Sequence, residues 1–161
     1  MSKKKLVVPN ARKALEDYKV EIAKEFGVKL TLEHCTEGHL IADKLAVEGY
    51  PAIVGPSFGN KSKFELNNKT FDTPKILVNA GVKVAIMTDS PVIPLEYLPM
   101  CAALAHKSGL DEMEALKAIS INAAEILEID HRVGSIEVGK DADVVIDAVD
   151  NIPSRIMLQK V

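Results

Sequence analysis

The chain has no tryptophan, and aromatic residues make up only 4% of it. That weighs against the stacking platforms that hold single-stranded nucleic acid or sugars. Cysteine is equally scarce. Cys35 and Cys101 stand far apart and outside any CxxC spacing, so a disulfide framework is not expected, and a reducing cytoplasm is. There is no basic surplus: the formal net charge is −3, which argues against a general nucleic-acid partner. No apolar run approaches the roughly 18 residues of a membrane span. The lysines of Met1-Ser-Lys-Lys-Lys5 precede Leu6-Val7-Val8, a run too short for a signal-peptide core and interrupted by Pro9, so this start reads as a solvated terminus. What is present is ordinary globular material: 161 residues, 47% hydrophobic and 27% charged, enough for one domain with a real core.

Taken in order, hydrophobic periodicity predicts an amphipathic helix over Ala11–Phe26, stopped by Gly27. Val28–Glu33 alternates Leu30 and Leu32 with Lys29, Thr31 and Glu33, the period of a strand. Thr36 is the expected N-cap of a helix that buries Leu40, Ile41, Leu45 and Ala46 and stops at Gly49. Pro51–Val54 reads as a short strand, Ser57–Asp72 as a long polar loop, Thr73–Ala80 as a helix with Pro at N1, and Val82–Met87 as a strand. This alternation predicts an α/β fold with βαβ crossovers and a parallel sheet whose carboxyl ends share one edge. Helices are expected over Leu95–His106 and Asp111–Leu127, the second opened by an Asp111…Glu114 capping box. From Val133 the pattern changes to short strands, Gly134–Gly139, Ala142–Ile146 and Arg155–Val161, the character of a small β module. Gly134…Gly139-Lys140-Asp141 lacks the hydroxyl residue of a phosphate loop.

On such a sheet His34, the Val54-Gly55 turn and Asp89 fall on one edge, each from a different strand. Imidazole nitrogen and carboxylate oxygen together suit a divalent cation, and an aspartate there can also serve as general base for hydrolysis. On pattern alone, His34 reads more readily as a structural histidine and Asp89 as a turn residue of Thr-Asp-Ser-Pro. His39, Glu33 and Glu37 are candidates to support His34 from behind, or else are surface groups at a helix start. Cys35 beside His34 invites a thiolate nucleophile, but nothing supplies a third group to orient the pair. His106 and His131 read as surface residues.

Several stretches resemble the metal-dependent amidohydrolase superfamily, and imidazolonepropionase-like cyclic-amide hydrolases in particular. They are Ile22-Ala-Lys-Glu-Phe-Gly27, Leu32-Glu-His-Cys-Thr-Glu-Gly-His39, Ile53-Val-Gly-Pro56, Gly81–Asp89 with Pro91, and Gly134-Ser-Ile-Glu-Val-Gly-Lys-Asp-Ala-Asp143. The resemblance runs from Ile22 to about Ile146 in the family's order. It implies a (β/α)8 barrel in which His34 ends the sixth strand and Asp89 the eighth. His34 and Asp89 are then metal-site residues, zinc being the expected ion, and Asp89 is the catalytic proton-transfer carboxylate. His39 and Glu33 would stand behind them. The family's His-x-His pair occurs nowhere in these residues, nor does the fifth-strand histidine.

The expected architecture is therefore the C-terminal half of a (β/α)8 barrel over residues 1–130, with 131–161 a remnant of the small β-sandwich. The expected activity, in an intact parent, is hydrolysis of a non-peptide C–N bond in a cyclic amide or amidine small molecule. The alternative is a catalytically inactive truncated or scaffold protein. Half a barrel would leave apolar strand faces open, so a homo-oligomer is expected, with neither nucleic acid nor membrane as partner.

Overall fold

A computed structural model describes residues 18–58, 61 and 66–141. The chain divides into two compact units, Met1–Thr31 and Leu32–Val161, so the expected boundary at 130/131 falls inside the second. The expected strands at Leu6–Val8, Ala142–Ile146 and Arg155–Val161 and the start of the first helix lie outside the described residues.

In the first unit residues 18–25 form helix α1. Its end is closed by paired bonds, Gly27 N–H to Lys24 O (3.1 Å) and Val28 N–H to Ala23 O (2.8 Å). Gly27 sits at φ 64°, the left-handed residue that this double closure requires.

The second unit is built on a short parallel sheet. Strand β1 (Ala52–Val54) pairs with β2 (Val84–Ile86) in the register Ala52↔Val84, Ile53↔Ala85, Val54↔Ile86. On the other side of β1, the expected Val28–Glu33 strand contracts to one parallel bridge, Leu32↔Ala52. Leu32 N–H donates to Pro51 O and Leu32 O accepts from Ile53 N–H. The next bond upstream would need an N–H from Pro51, which proline does not have, so pairing stops at Leu32.

The helices are shorter than expected. After Leu32 comes a 3-10 turn, Gly38–Ile41, and only then helix α2 (Ala42–Glu48), ended by Gly49 at φ 72°. Thr36 does not cap it. The tight turn rotates the buried stripe onto Ala42 and Leu45 and leaves Leu40 and Ile41 exposed, because side chains advance by 120° per residue in a 3-10 turn rather than 100°. Helix α3 spans Thr73–Asn79 with Pro74 in its first turn. A 3-10 turn, Leu95–Tyr97, leads into α4 (Leu98–Lys107).

The expected Asp111–Leu127 helix is two, α5 (Glu112–Ala118) and α6 (Ile121–Ile126). Asp111 caps α5 by accepting from Met113 and Glu114 N–H, but Glu114 turns to Lys117 Nζ at 2.8 Å instead of closing the box. The break comes at Ser120, whose hydroxyl donates to Leu116 O at 2.7 Å. Such back-bonding competes with main-chain pairing. Gly134–Gly139, expected as a strand, is irregular, bends leading into a turn, with Gly134 at φ 96° and Gly139 at φ 92°. Its side chains bond locally, Ser135 Oγ to Glu137 Oε1 and Lys140 Nζ to Ser135 Oγ.

The core of the second unit has two parts. Ala42, Leu45, Ala52, Val54, Leu77, Val82 and Val84 join α2 and α3 to the strands. Ile86, Cys101, Ala102, Ala105, Leu110, Ala115 and Ala118 join the end of β2 to α4 and α5. Asn122, on α6, donates its amide to Val84 O at 2.8 Å, a buried polar group that satisfies a main-chain acceptor of β2. Among the described residues no helix is long and apolar enough to cross a membrane.

Candidate metal centre

His34 follows the bridge residue Leu32 and Asp89 follows β2, both where the chain leaves the sheet at its carboxyl edge. Each takes the left-handed conformation, φ 55°. An L-residue with a side chain pays for that conformation with roughly 1–2 kcal/mol, and its surroundings must hold it there. The result is one close approach: His34 Nε2 lies 3.1 Å from Asp89 Oδ2. Both side chains reach solvent, 53% and 35% exposed, so the pair is open to a ligand.

β1 lies between the two, and neighbouring strands are spaced roughly 4.8 Å apart, so their backbones stand about 9–10 Å from each other. The imidazole and carboxylate close that gap at the end of β1, where the chain continues into Gly55. A Cβ on Gly55 would lie 2.2 Å from Met87 O, and the residue holds φ 152°. Glycine lets the ends of β1 and β2 approach at this point.

The donor set fits a divalent ion. Zinc–nitrogen and zinc–oxygen distances are about 2.0–2.2 Å, so two donors 3.1 Å apart have the separation of adjacent ligands on one ion. Among the described residues no group of three His, Cys, Asp or Glu converges to complete a coordination sphere. The two groups also lie within ion-pair distance of each other in their own right.

The neighbouring candidates go elsewhere. Glu33 is exposed. Glu37 accepts from Asn68 N–H through Oε1 at 2.6 Å, tying the loop before α3 to the 3-10 turn. His39 Nδ1 meets Thr73 Oγ1 at 2.8 Å, and Thr73 Oγ1 also lies 3.0 Å from Thr36 O. Burial pushes the Cys35 thiol up, more than the Gly38 backbone bond pulls it down, the wrong direction for a thiolate nucleophile. His106 bonds Leu110 O through Nδ1 at 2.9 Å, at the end of α4. A cavity of about 580 Å3 opens beside His34, between Glu37, Gly38 and Ile41 on one side and Leu66 on the other.

Two participants do more than their sequence readings say. Gly55, read as part of the strand-end turn, matters through the side chain it lacks, and Thr73, read as a helix start, through a contact with residues distant in sequence. Thr73-Pro74 signals only a helix start, and nothing local marks its hydroxyl as bonded to Thr36.

Comparison with known proteins places these observations. The Amidohydrolase family profile matches residues 7–160. Imidazolonepropionase from Geobacillus sp. (strain WCH70) is 36% identical over 113 residues, 67% of this chain and 25% of that protein. Imidazolonepropionase from Streptococcus pyogenes serotype M2 (strain MGAS10270) is 28% identical over 160 residues, covering 84% of this chain and 37% of its own length. Among solved structures, an amidohydrolase from Thermotoga maritima MSB8 superimposes with a TM-score of 0.72 and 44% identity, over 78% of this chain and 33% of that one. An adenosine deaminase from Xanthomonas campestris, solved with bound zinc, gives a TM-score of 0.52 and 26% identity over 77% of this chain and 30% of that one. The chain thus spans between a quarter and about two fifths of the length of these relatives. With its parallel sheet, its helices and its sequence all in agreement, the chain belongs to the amidohydrolase family.

Proposed function

We propose that this chain supplies the C-terminal half of an amidohydrolase (β/α)8 barrel, with residues 131–161 leading into the small β-sandwich. In the intact parent the activity is hydrolysis of a non-peptide C–N bond in a cyclic amide or amidine. The observation that carries the reading is the 3.1 Å approach of His34 Nε2 and Asp89 Oδ2 at the carboxyl edge of the sheet. His34 and Asp89 would hold a divalent cation, zinc first, and the remaining ligands would come from the part of the family's length that this chain does not span. A bound divalent ion supplies a water acidic enough to act as nucleophile near neutral pH.

The chain's own residues account for the rest. Asp89 offers Oδ2 to the pair and keeps Oδ1 to take the proton of the attacking water and return it to the leaving nitrogen. His34, held left-handed, fixes the orientation of that carboxylate. The substrate is a small molecule, and the cavity beside His34 leaves room for its non-reacting part. Support for a cyclic amide comes from relatives named imidazolonepropionase, and support for zinc from the Xanthomonas neighbour. No observation favours an inactive, self-associating scaffold.

Zinc titration of the full chain tests the proposal. The expected result is one-to-one binding that His34→Ala and Asp89→Ala each weaken at least about tenfold, the loss of roughly 1.4 kcal/mol or more. Zinc bound by both variants as tightly as by the unaltered protein would sink the assignment.

A further inference from the structure

We infer that His39 is a positioning residue for His34, acting through Thr73, and that its neutral ring carries the proton on Nδ1. This rests on the reading of His34 as a metal-site residue. Thr73 Oγ1 has two close partners, Thr36 O at 3.0 Å and His39 Nδ1 at 2.8 Å. A hydroxyl has one hydrogen, and a backbone carbonyl only accepts. The hydroxyl hydrogen therefore goes to Thr36 O, and His39 must donate Nδ1–H to Thr73 Oγ1. Thr73 is fully buried, 0% exposed, so no solvent stands ready to replace either bond.

The series ends two residues from His34. Thr36 N–H donates to His34 O at 2.7 Å, and Cys35 N–H donates to Ile53 O at 3.0 Å. Residues 34–36 are thus held on one side by the sheet, through Ile53, and on the other by Thr73 of α3, which His39 of the 3-10 turn holds in turn. These are the contacts that keep His34 at φ 55°, a conformation it would otherwise leave. His39 comes from the 3-10 turn and Thr73 from the first residue of α3, so the clamp joins two elements that follow different strands. His39 touches no reacting atom; its effect passes through the Thr36 carbonyl.

Nitrogen-15 NMR of the metal-free full chain reads the tautomer, and its outcome is independent of whether zinc binds. At a pH where His39 is neutral, its ring is expected as Nδ1–H. In His39→Leu and Thr73→Val the His34 ring resonances move, and zinc binding weakens about tenfold. In His39→Asn, whose amide nitrogen stands in for Nδ1, and in Thr73→Ser, the His34 resonances stay in place and the zinc Kd changes by less than about twofold, well inside that tenfold margin. An Nε2–H tautomer at His39 in the unaltered protein overturns the inference, even if His39→Leu does not fold. So does an unmoved His34 ring in a folded His39→Leu. Failure of zinc to bind at all, with these NMR results intact, counts against the metal reading and leaves the clamp standing.

Discussion

Replacing Gly55 with alanine tests the packing that brings His34 and Asp89 together. An added Cβ would lie 2.2 Å from Met87 O, where contacts under 3.0 Å are essentially never found, and 2.9 Å from Met87 Cγ. The side-chain carbon can swing away, but the carbonyl is backbone, so the ends of β1 and β2 must separate by about 0.8 Å or more. Forcing atoms into a packed site costs about 1–3 kcal/mol, and the glycine-favouring backbone at φ 152° adds a further ~1 kcal/mol or more. The expected loss is about 3 kcal/mol, a large share of the 5–15 kcal/mol typical of a domain. Gly49→Ala is the control: it also has positive φ, 72°, but nothing within 4 Å of an added Cβ. Its cost is conformational only, about 1 kcal/mol. Urea unfolding followed by far-UV circular dichroism, chosen because the chain has no tryptophan, gives the difference between the two. Equal destabilisation in both variants would refute the steric argument. A Gly55→Ala protein that binds zinc as tightly as the original would separate Gly55 from the site.

Two further outcomes follow from the core and from a surface carboxylate. Leu77 is fully buried among the strands, α2 and α3, so Leu77→Ala should cost about 2–5 kcal/mol and Leu77→Met under about 1.5 kcal/mol; urea midpoints that do not separate the two would contradict the packing described. The Asp72 carboxyl is held below its ordinary 3.8 by hydrogen bonds from Lys75 and Thr70 and by the Lys75 charge. The unfolded chain therefore takes up this proton first: the stabilising contribution is complete above the ordinary value and disappears as pH falls through the lower folded one. Asp72→Asn should flatten that part of an acid titration of stability, and an unchanged acid limb would show that the contacts contribute nothing.

Much of the sheet was legible because its signals are local. The strands expected over Pro51–Val54 and Val82–Met87 lie between glycine and proline punctuation and form, trimmed to Ala52–Val54 and Val84–Ile86, and Asp111 caps its helix as expected. Asp89 and His34 were legible as strand-end residues of complementary chemistry. What could not be read depends on contacts between distant segments. Val28–Glu33 has the alternation of a strand, but its length was decided by Pro51 on the partner. The tight turn at Gly38 reflects a close approach: an added Cβ there would meet Cys35 Sγ at 2.3 Å and Leu77 Cδ1 at 3.4 Å. The apolar period of Asp111–Leu127 runs unbroken through Ser120, because periodicity does not register a hydroxyl that bonds back to Leu116 O. His39 looked like a neighbour of His34, whereas its partner is Thr73, on the other side of β1 in sequence.

The order of the sheet, Leu32 beside β1 and β1 beside β2, is also the order of the sequence. Each crossover steps to the next position in the same direction and never doubles back. Contacts formed this way join segments that are near in the chain, so little loop entropy is lost before each pairing is rewarded. The arms of the His34–Asp89 pair come from the first and last steps of that progression. The two groups can therefore meet as soon as β2 docks, with no strand from elsewhere threading between them.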